Sequence, residues 1–415
     1  PALLRAARPL QTPLTVSGLT GPARTLVERA ARRASRPLLV APAGPAGGYA
    51  PVDLRPGAAL SASISTGDLG LGAVGTVTYR DGDDIWAFGH PFEGLGRRAL
   101  FLTDAYIYTV INNPVGAPDL GAVTYKLASS DGHVLGSITS DTVDAIAGKV
   151  GTDPPSFPLH IDARNRAGER LTLDSRLSDE RDLGYGAGLS FVAPLGVTQA
   201  LGVLMRDFGP VTFRMCAHFR VRELRNPMGF CNTYFSVDDA VSHLSDAGAM
   251  IDFFDLAPLH VERTAISLRA RTGVKQDVLI GARGPRRARR GQRIRVRLTV
   301  QRRRGARRKL TVPVRVPRSL RPGVHRLTLS GSGSGFSDAA LVEEIIALLD
   351  GDLSGGGSEP HTVGQLARRV KSFRQAVGIR AKFKHRDPQL VRRSSDVSFE
   401  GRVRMTLRVT RRARR

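Results

Sequence analysis

The chain has 415 residues, of which 41% are hydrophobic and 24% charged, with a formal net charge of +25 at pH 7. That length accommodates about two to four domains with real cores. The longest apolar runs, Ala339 to Val342 and Ile345 to Leu349, are far too short for a transmembrane helix, so none is expected within the chain.

The charge raises the question of nucleic acid. Lysine accounts for 7 of the 62 basic residues, leaving 55 arginines, a bias that GC-rich coding explains as readily as function does. Aromatics are only 6%, and the densest basic runs, 286–290, 302–309 and 411–415, fall in apparent turns or at the terminus. A nucleic-acid surface interleaves aromatics with its cations or places them on a recognised module. Solvated turns are therefore the expectation, with no specific nucleic-acid partner. For an exported protein, anionic envelope polymers or lipid head groups fit such runs better.

In chain order, a helix is expected over 22–34, and turn-separated short strands dominate residues 50–320. Ser61, Ser63 and Ser65 alternate with Ala62 and Ile64, a strand pattern with one polar face. Val74, Val77 and Tyr79 precede Asp81-Gly82-Asp83-Asp84, and Ile85, Trp86 and Phe88 follow, which predicts a β-hairpin closed by an Asp-Gly turn. His90 leaves that hairpin between Gly89 and Pro91, where the backbone bends and crowding is low. Local context favours an imidazole that caps a strand end, and also suits a group that must reach a reacting atom.

Cys216 and Cys231 flank an alternating strand and the turn residues Asn226-Pro227-Met228-Gly229. A hairpin centred near Glu223 and Leu224 sets them opposite each other, with a disulfide or two unpaired thiols as the alternatives. His218 lies close by, but two cysteines and one histidine without CxxC-type spacing make a poor zinc site, so no metal is expected. A short helix is predicted over 238–247. Ile294, Val296, Leu298 and Val300, then Leu310, Val312, Val314 and Val316, alternate as two strands, and Pro313 places the second at an edge. The segment SGSGSG at 330–335 lacks the lysine of a phosphate-binding loop and is expected to be a linker. Helices over 338–349 and 362–375, the latter opened by a Thr362/Gln365 capping box, precede a last strand through Val403, Met405, Leu407 and Val409.

Several spaced motifs, in order, resemble the SpoIVB-type serine peptidases. The string GTVTYRDGDDIWAFGHP, residues 75–91, resembles that family's histidine motif; Pro56 to Leu60 with Gly67-Asp68, Leu102 to Ala105, and Gly136 to Asp141 with Ala147-Gly148 resemble segments around it. The resemblance covers about Arg8 to Leu201. It implies a chymotrypsin-like, barrel-like region in which His90 is the general base of a serine endopeptidase. The family's Gly-Met-Ser-Gly-Ser-Pro nucleophile motif does not occur in the chain, and its position in multidomain relatives implies that nucleophile and acid lie upstream of Pro1. Asp104 is the one local acid worth testing as the group that orients His90, because turn chemistry accounts for Asp83 and Asp84.

The expected architecture is therefore mainly β: a barrel-like peptidase-type region over 1–201, a β-sandwich-like module over 202–330, and a small α+β module over 336–415. The expected function is part of an exported, extracytoplasmic endopeptidase acting on a protein or peptide substrate, without a cofactor. The alternative is a non-catalytic envelope protein using the same fold for binding. Trp86, Phe88 and Phe92 are expected to line an open groove around an accessible His90.

Overall fold

A computed structural model describes residues 14–33, 38–41, 49–112, 124–129, 132–186, 188–331, 341–343, 345–346, 360–374 and 376–410. The fold is mainly β. Strand β1 (Leu14–Ser17), helix α1 (Gly21–Ala31) and β2 (Leu38–Val40) precede a run of strands: β3 (Ala59–Gly67), β4 (Gly70–Asp81), β5 (Asp84–Ala87) and β6 (Gly96–Asp104). The run continues with β7 (Tyr106–Asn112), β8 (Thr124–Ser129), β9 (Val134–Asp141), β10 (Ile146–Val150), β11 (Ser156–Asn165) and β12 (Arg170–Ser178). Helix α2 (Leu189–Met205) then leads to β13 (Val211–Val221), β14 (Met228–Tyr234), helix α3 (Val237–Asp252) and β15 (Val261–Thr272).

The expected barrel is present. Strands β3, β6, β9, β10, β5 and β4 pair antiparallel in that order, and the β3–β4 ladder closes the ring. Closure leaves no free edge among these six strands, which is what lets short strands form a stable unit. Leu60, Ala62, Leu100, Leu102 and Ile138 are fully buried in its core. Ser61, Ser63 and Ser65 are also fully buried, so β3 has no solvent-facing polar side: Ser63 donates to Ser61 Oγ at 2.9 Å and Ser65 to the Leu69 carbonyl at 2.9 Å.

Through β12, which pairs with Ser65–Gly67 of β3, the barrel continues into an open sheet of order β12-β11-β15-β13-β14. Helices α2 and α3 cover one face of that sheet. They approach closely at Gly248, where a Cβ would lie 2.7 Å from the Ser190 Cα. Asp252 near the end of α3 accepts from the Ser190 N–H and hydroxyl, both at 2.9 Å, and so supplies the cap that α2 lacks locally. Helix α2 was not expected from the sequence; 14 of its 17 residues are buried, so it carries no polar stripe.

A second core forms from β16 (Lys275–Arg283), β17 (Arg287–Arg289), β18 (Arg293–Arg302), β19 (Arg307–Arg315) and β20 (Gly323–Gly331), then β21 (Gly378–Phe383), β22 (Gln389–Arg393), β23 (Val397–Glu400) and β24 (Arg402–Thr410). These make two sheets, β19-β18-β16-β23 and β17-β24-β20-β21-β22, with Val296, Leu298, Leu327, Leu329 and Leu407 fully buried in the core they share. Strand β19, which carries Pro313, is an edge strand.

The domain boundaries drawn from the sequence need correction. Residue 201 lies inside α2 and residue 330 inside β20, and the first core extends to Ala270. The sandwich is built from residues 275–331 and 378–410 together. The expected C-terminal module is split: Leu341, Val342 and Ile345, with Leu366 and Val370 of helix α4 (Val363–Ser372), pack into the first core, while the final strands complete the second. Alternation shows that a strand has one apolar face but not which sheet that face joins. The helix expected over 338–349 is described only at 341–343 and 345–346, which are helical. No described helix is long and apolar enough to cross a membrane.

Candidate active site around His90

The hairpin forms as expected, with Asp81 opposite Asp84 and Gly82 at φ +58° in its two-residue turn. Beyond β5 the backbone bends sharply: Phe88 (φ +75°) and Gly89 (φ +74°) are both left-handed. That conformation is ordinary for glycine and costs a bulky residue of order 1–3 kcal/mol. Two contacts hold it there. The Phe88 N–H donates to the Thr76 carbonyl at 3.1 Å, and its ring lies over Gly75, where a Cβ would sit 1.9 Å from the ring. Lys126 of β8 donates to the Gly75 carbonyl and the Thr76 hydroxyl at the same point, and burial lowers its pKa.

His90 follows at the surface, half-buried, with its ring centroid 5.6 Å from that of Phe88. Its Nδ1 is 3.0 Å from the Pro91 carbonyl. A carbonyl only accepts, so Nδ1 carries the proton and Nε2 is the basic nitrogen of the neutral ring.

The loop after His90 is gathered onto one carboxylate. Asp141, at the end of β9 and fully buried, accepts from the N–H groups of Phe92 (2.8 Å), Glu93 (2.7 Å) and Gly94 (2.9 Å). Arg98 braces the same loop: its guanidinium pairs with Glu180 (2.7 Å), Glu93 (3.0 Å) and Asp141 (3.4 Å) and lies over the Phe92 and Tyr185 rings. Burial opposes its charge, but the hydrogen bonds and charges of Glu180 and then Glu93 more than offset that and raise its pKa. Asp141 and Arg98 are therefore positioning groups for the His90 turn. Their only sequence signal was that Asp141 closes the Gly136–Asp141 segment of the family resemblance.

Asp104 does not orient His90. It ends β6 at the far end from Gly96, where the Asp141 clamp sits, and nine strand residues span about 26 Å. Its fully buried carboxylate instead accepts from the Tyr49 hydroxyl (3.0 Å), the Val52 N–H (3.1 Å), the His133 N–H (2.6 Å) and His133 Nδ1 (3.0 Å). Asp104 thus tethers three chain segments and aligns His133, a histidine that no sequence motif singles out. Of the rings expected to line a groove, Trp86 is exposed and packs on Tyr79 at 5.5 Å, and Phe88 faces His90; Phe92 is buried, with the Arg98 guanidinium over its ring.

Cys216 and Cys231 are cross-strand partners on β13 and β14, with Cα atoms 4.1 Å apart, and form a disulfide. His218 Nε2 lies 4.0 Å from Cys231 Sγ, and the three potential donors lie within 4.8 Å of one another. Bonded to each other, the sulfurs are not thiolates, so this cluster does not make a metal site in its oxidised form. No protein-family model, curated protein or solved structure matches the chain.

Proposed function

We propose that this chain is the histidine-bearing part of an exported SpoIVB-type serine endopeptidase, with His90 as general base and a nucleophile serine supplied by sequence upstream. One observation carries the reading: a strained left-handed turn, held by the Gly75–Phe88 contact on one side and the Asp141 clamp on the other, presents a half-buried imidazole whose Nδ1 is already committed as a donor. Strain that the surrounding structure overdetermines is typical of groups that must be placed accurately. A serine hydroxyl is a weak nucleophile near neutral pH, and an imidazole in this tautomer can take its proton at Nε2. A cross-strand disulfide fits an oxidising, extracytoplasmic compartment. The substrate class that follows is protein or peptide.

The test uses the longer protein that carries the nucleophile motif. His90→Ala should abolish labelling by a serine-directed fluorophosphonate while leaving thermal unfolding unchanged. Undiminished labelling returns His90 to a strand cap and the chain to a non-catalytic binding role.

A further inference from the structure

The open sheet outside the barrel has one face covered by α2 and α3, and the other carries a row of like charges. Arg164 of β11 pairs in register with Arg269 of β15, Arg269 with Arg214 of β13, and Arg164 on its other side with Arg170 of β12. Neighbouring strands lie about 4.8 Å apart, so four guanidinium stems stand along a line of about 14 Å. Arg271 stands two residues further along β15, and Arg166 lies in the turn just past the end of β11. Like charges directly opposite one another destabilise a sheet.

Internal carboxylates offset only part of this charge. Asp162 accepts from Arg164 and Arg170 at 3.1 and 2.7 Å; burial disfavours its charge, yet those two hydrogen bonds hold its carboxyl below the usual range. Among the described residues, no carboxylate lies within ion-pair distance of Arg166, Arg214 or Arg269. The overall basic composition does not account for the row. Residues 1–274 contain 26 Lys and Arg against 27 Asp and Glu, whereas 275–415 contain 36 against 10. The arginines are therefore stacked in the electrically balanced part of the chain.

The row is also concave. Arg164, Arg166, Arg214, Arg269 and Arg271 line an open cleft of about 600 Å³, whose other walls include Asn165, Thr233 and Ser395. Arg214 lines a second cleft of about 290 Å³ as well, together with His218, Lys371 and Arg374. The two clefts meet at Arg214 and make one cationic track.

We propose that this track binds a linear polyphosphate chain, independently of any chemistry at His90. Guanidinium forks match phosphate oxygens in pairs. A phosphoanhydride chain has only oxygen between successive charged phosphorus atoms, the closest charge spacing a linear polyanion offers, which suits arginines one strand apart. Nucleic acid fits less well, because Phe213 and Phe230 at the clefts are buried, which leaves the His218 imidazole as the one exposed aromatic ring among the lining residues for bases to stack on.

The test is titration calorimetry of the disulfide-intact chain with long-chain polyphosphate. Arg214→Glu and Arg269→Glu should each weaken binding by at least about tenfold. Arg404→Glu, on the exposed side of β24 in the far more basic sandwich, should change it by less than about threefold. Oligodeoxythymidylate of equal charge should bind at least about tenfold more weakly than polyphosphate. Circular dichroism of each variant establishes that it is folded. Absent polyphosphate binding, equal losses in the Arg404 and Arg269 variants, or oligonucleotide binding as tight as polyphosphate would each overturn the proposal; the last would assign the track to single-stranded nucleic acid.

Discussion

Replacing Asp141 with alanine removes the one acceptor shared by the amides of Phe92, Glu93 and Gly94. A hydrogen bond to a charged group contributes about 1.5–3 kcal/mol, and a donor left buried without a partner costs about 1–3 kcal/mol. Phe92 is buried, Glu93 half-buried and Gly94 exposed, so water can satisfy the last amide but not the first. Arg98 retains Glu180 and Glu93. The expected net loss is therefore about 3–5 kcal/mol rather than the full sum of three bonds. Trp86 is the only tryptophan and lies on β5 just before the His90 turn, so its fluorescence reports the barrel directly in urea unfolding. Asp141→Asn keeps one acceptor oxygen and should lose about half as much. A loss below about 1 kcal/mol in Asp141→Ala would refute the view that this carboxylate holds the loop.

Gly75→Ala should cost about 1–3 kcal/mol by pushing the Phe88 ring off its seat, and Gly75→Ala with Phe88→Ala should cost less than the two changes added; strict additivity in the same fluorescence assay would count against the contact. Cys216→Ser with Cys231→Ser opens a loop closed over 15 residues and should destabilise the first core by about 3 kcal/mol in non-reducing urea titrations, with no loss if the pair is reduced in the native protein. In the sandwich, Asp277 is fully buried; burial disfavours its charge, but Arg302 and Arg308 hold its carboxyl below the ordinary range. With the folded pKa below the unfolded one, its contribution is complete above about pH 4 and is lost as pH falls further, so the acid transition of the sandwich should shift in Asp277→Asn. An identical acid midpoint in that variant would contradict the assignment.

The parts of the fold that were legible in the sequence are those governed by local rules. Strict alternation and the Asp-Gly turn located the barrel hairpin, Thr362 and Gln365 located the start of α4, and the midpoint near Glu223 brought Cys216 opposite Cys231. Helix α2 was hidden because burial on all sides removes the 3.6-residue stripe by which a surface helix is recognised. The Asp104–His133 pair and the Asp141 clamp were hidden for another reason. Each joins residues 29 to 49 positions apart through strand neighbours that no periodicity specifies. Phe88 shows the same limit on a smaller scale: nothing in its neighbours announces a left-handed aromatic, and only the empty space over Gly75 accommodates it.

The split of residues 275–410 around helix α4 has a consequence for biosynthesis. Strand β16 pairs with β23 and β20 with β24, so both sheets of the sandwich lack a strand until residues 397–410 have been made. By then α4 is already available to dock on β14 and α3 of the first core. Chain order therefore completes the first core and its helical brace ahead of the sandwich: β16, β18 and β19 can pair as soon as they exist, whereas β20 finds its partners β21 and β24 only after α4.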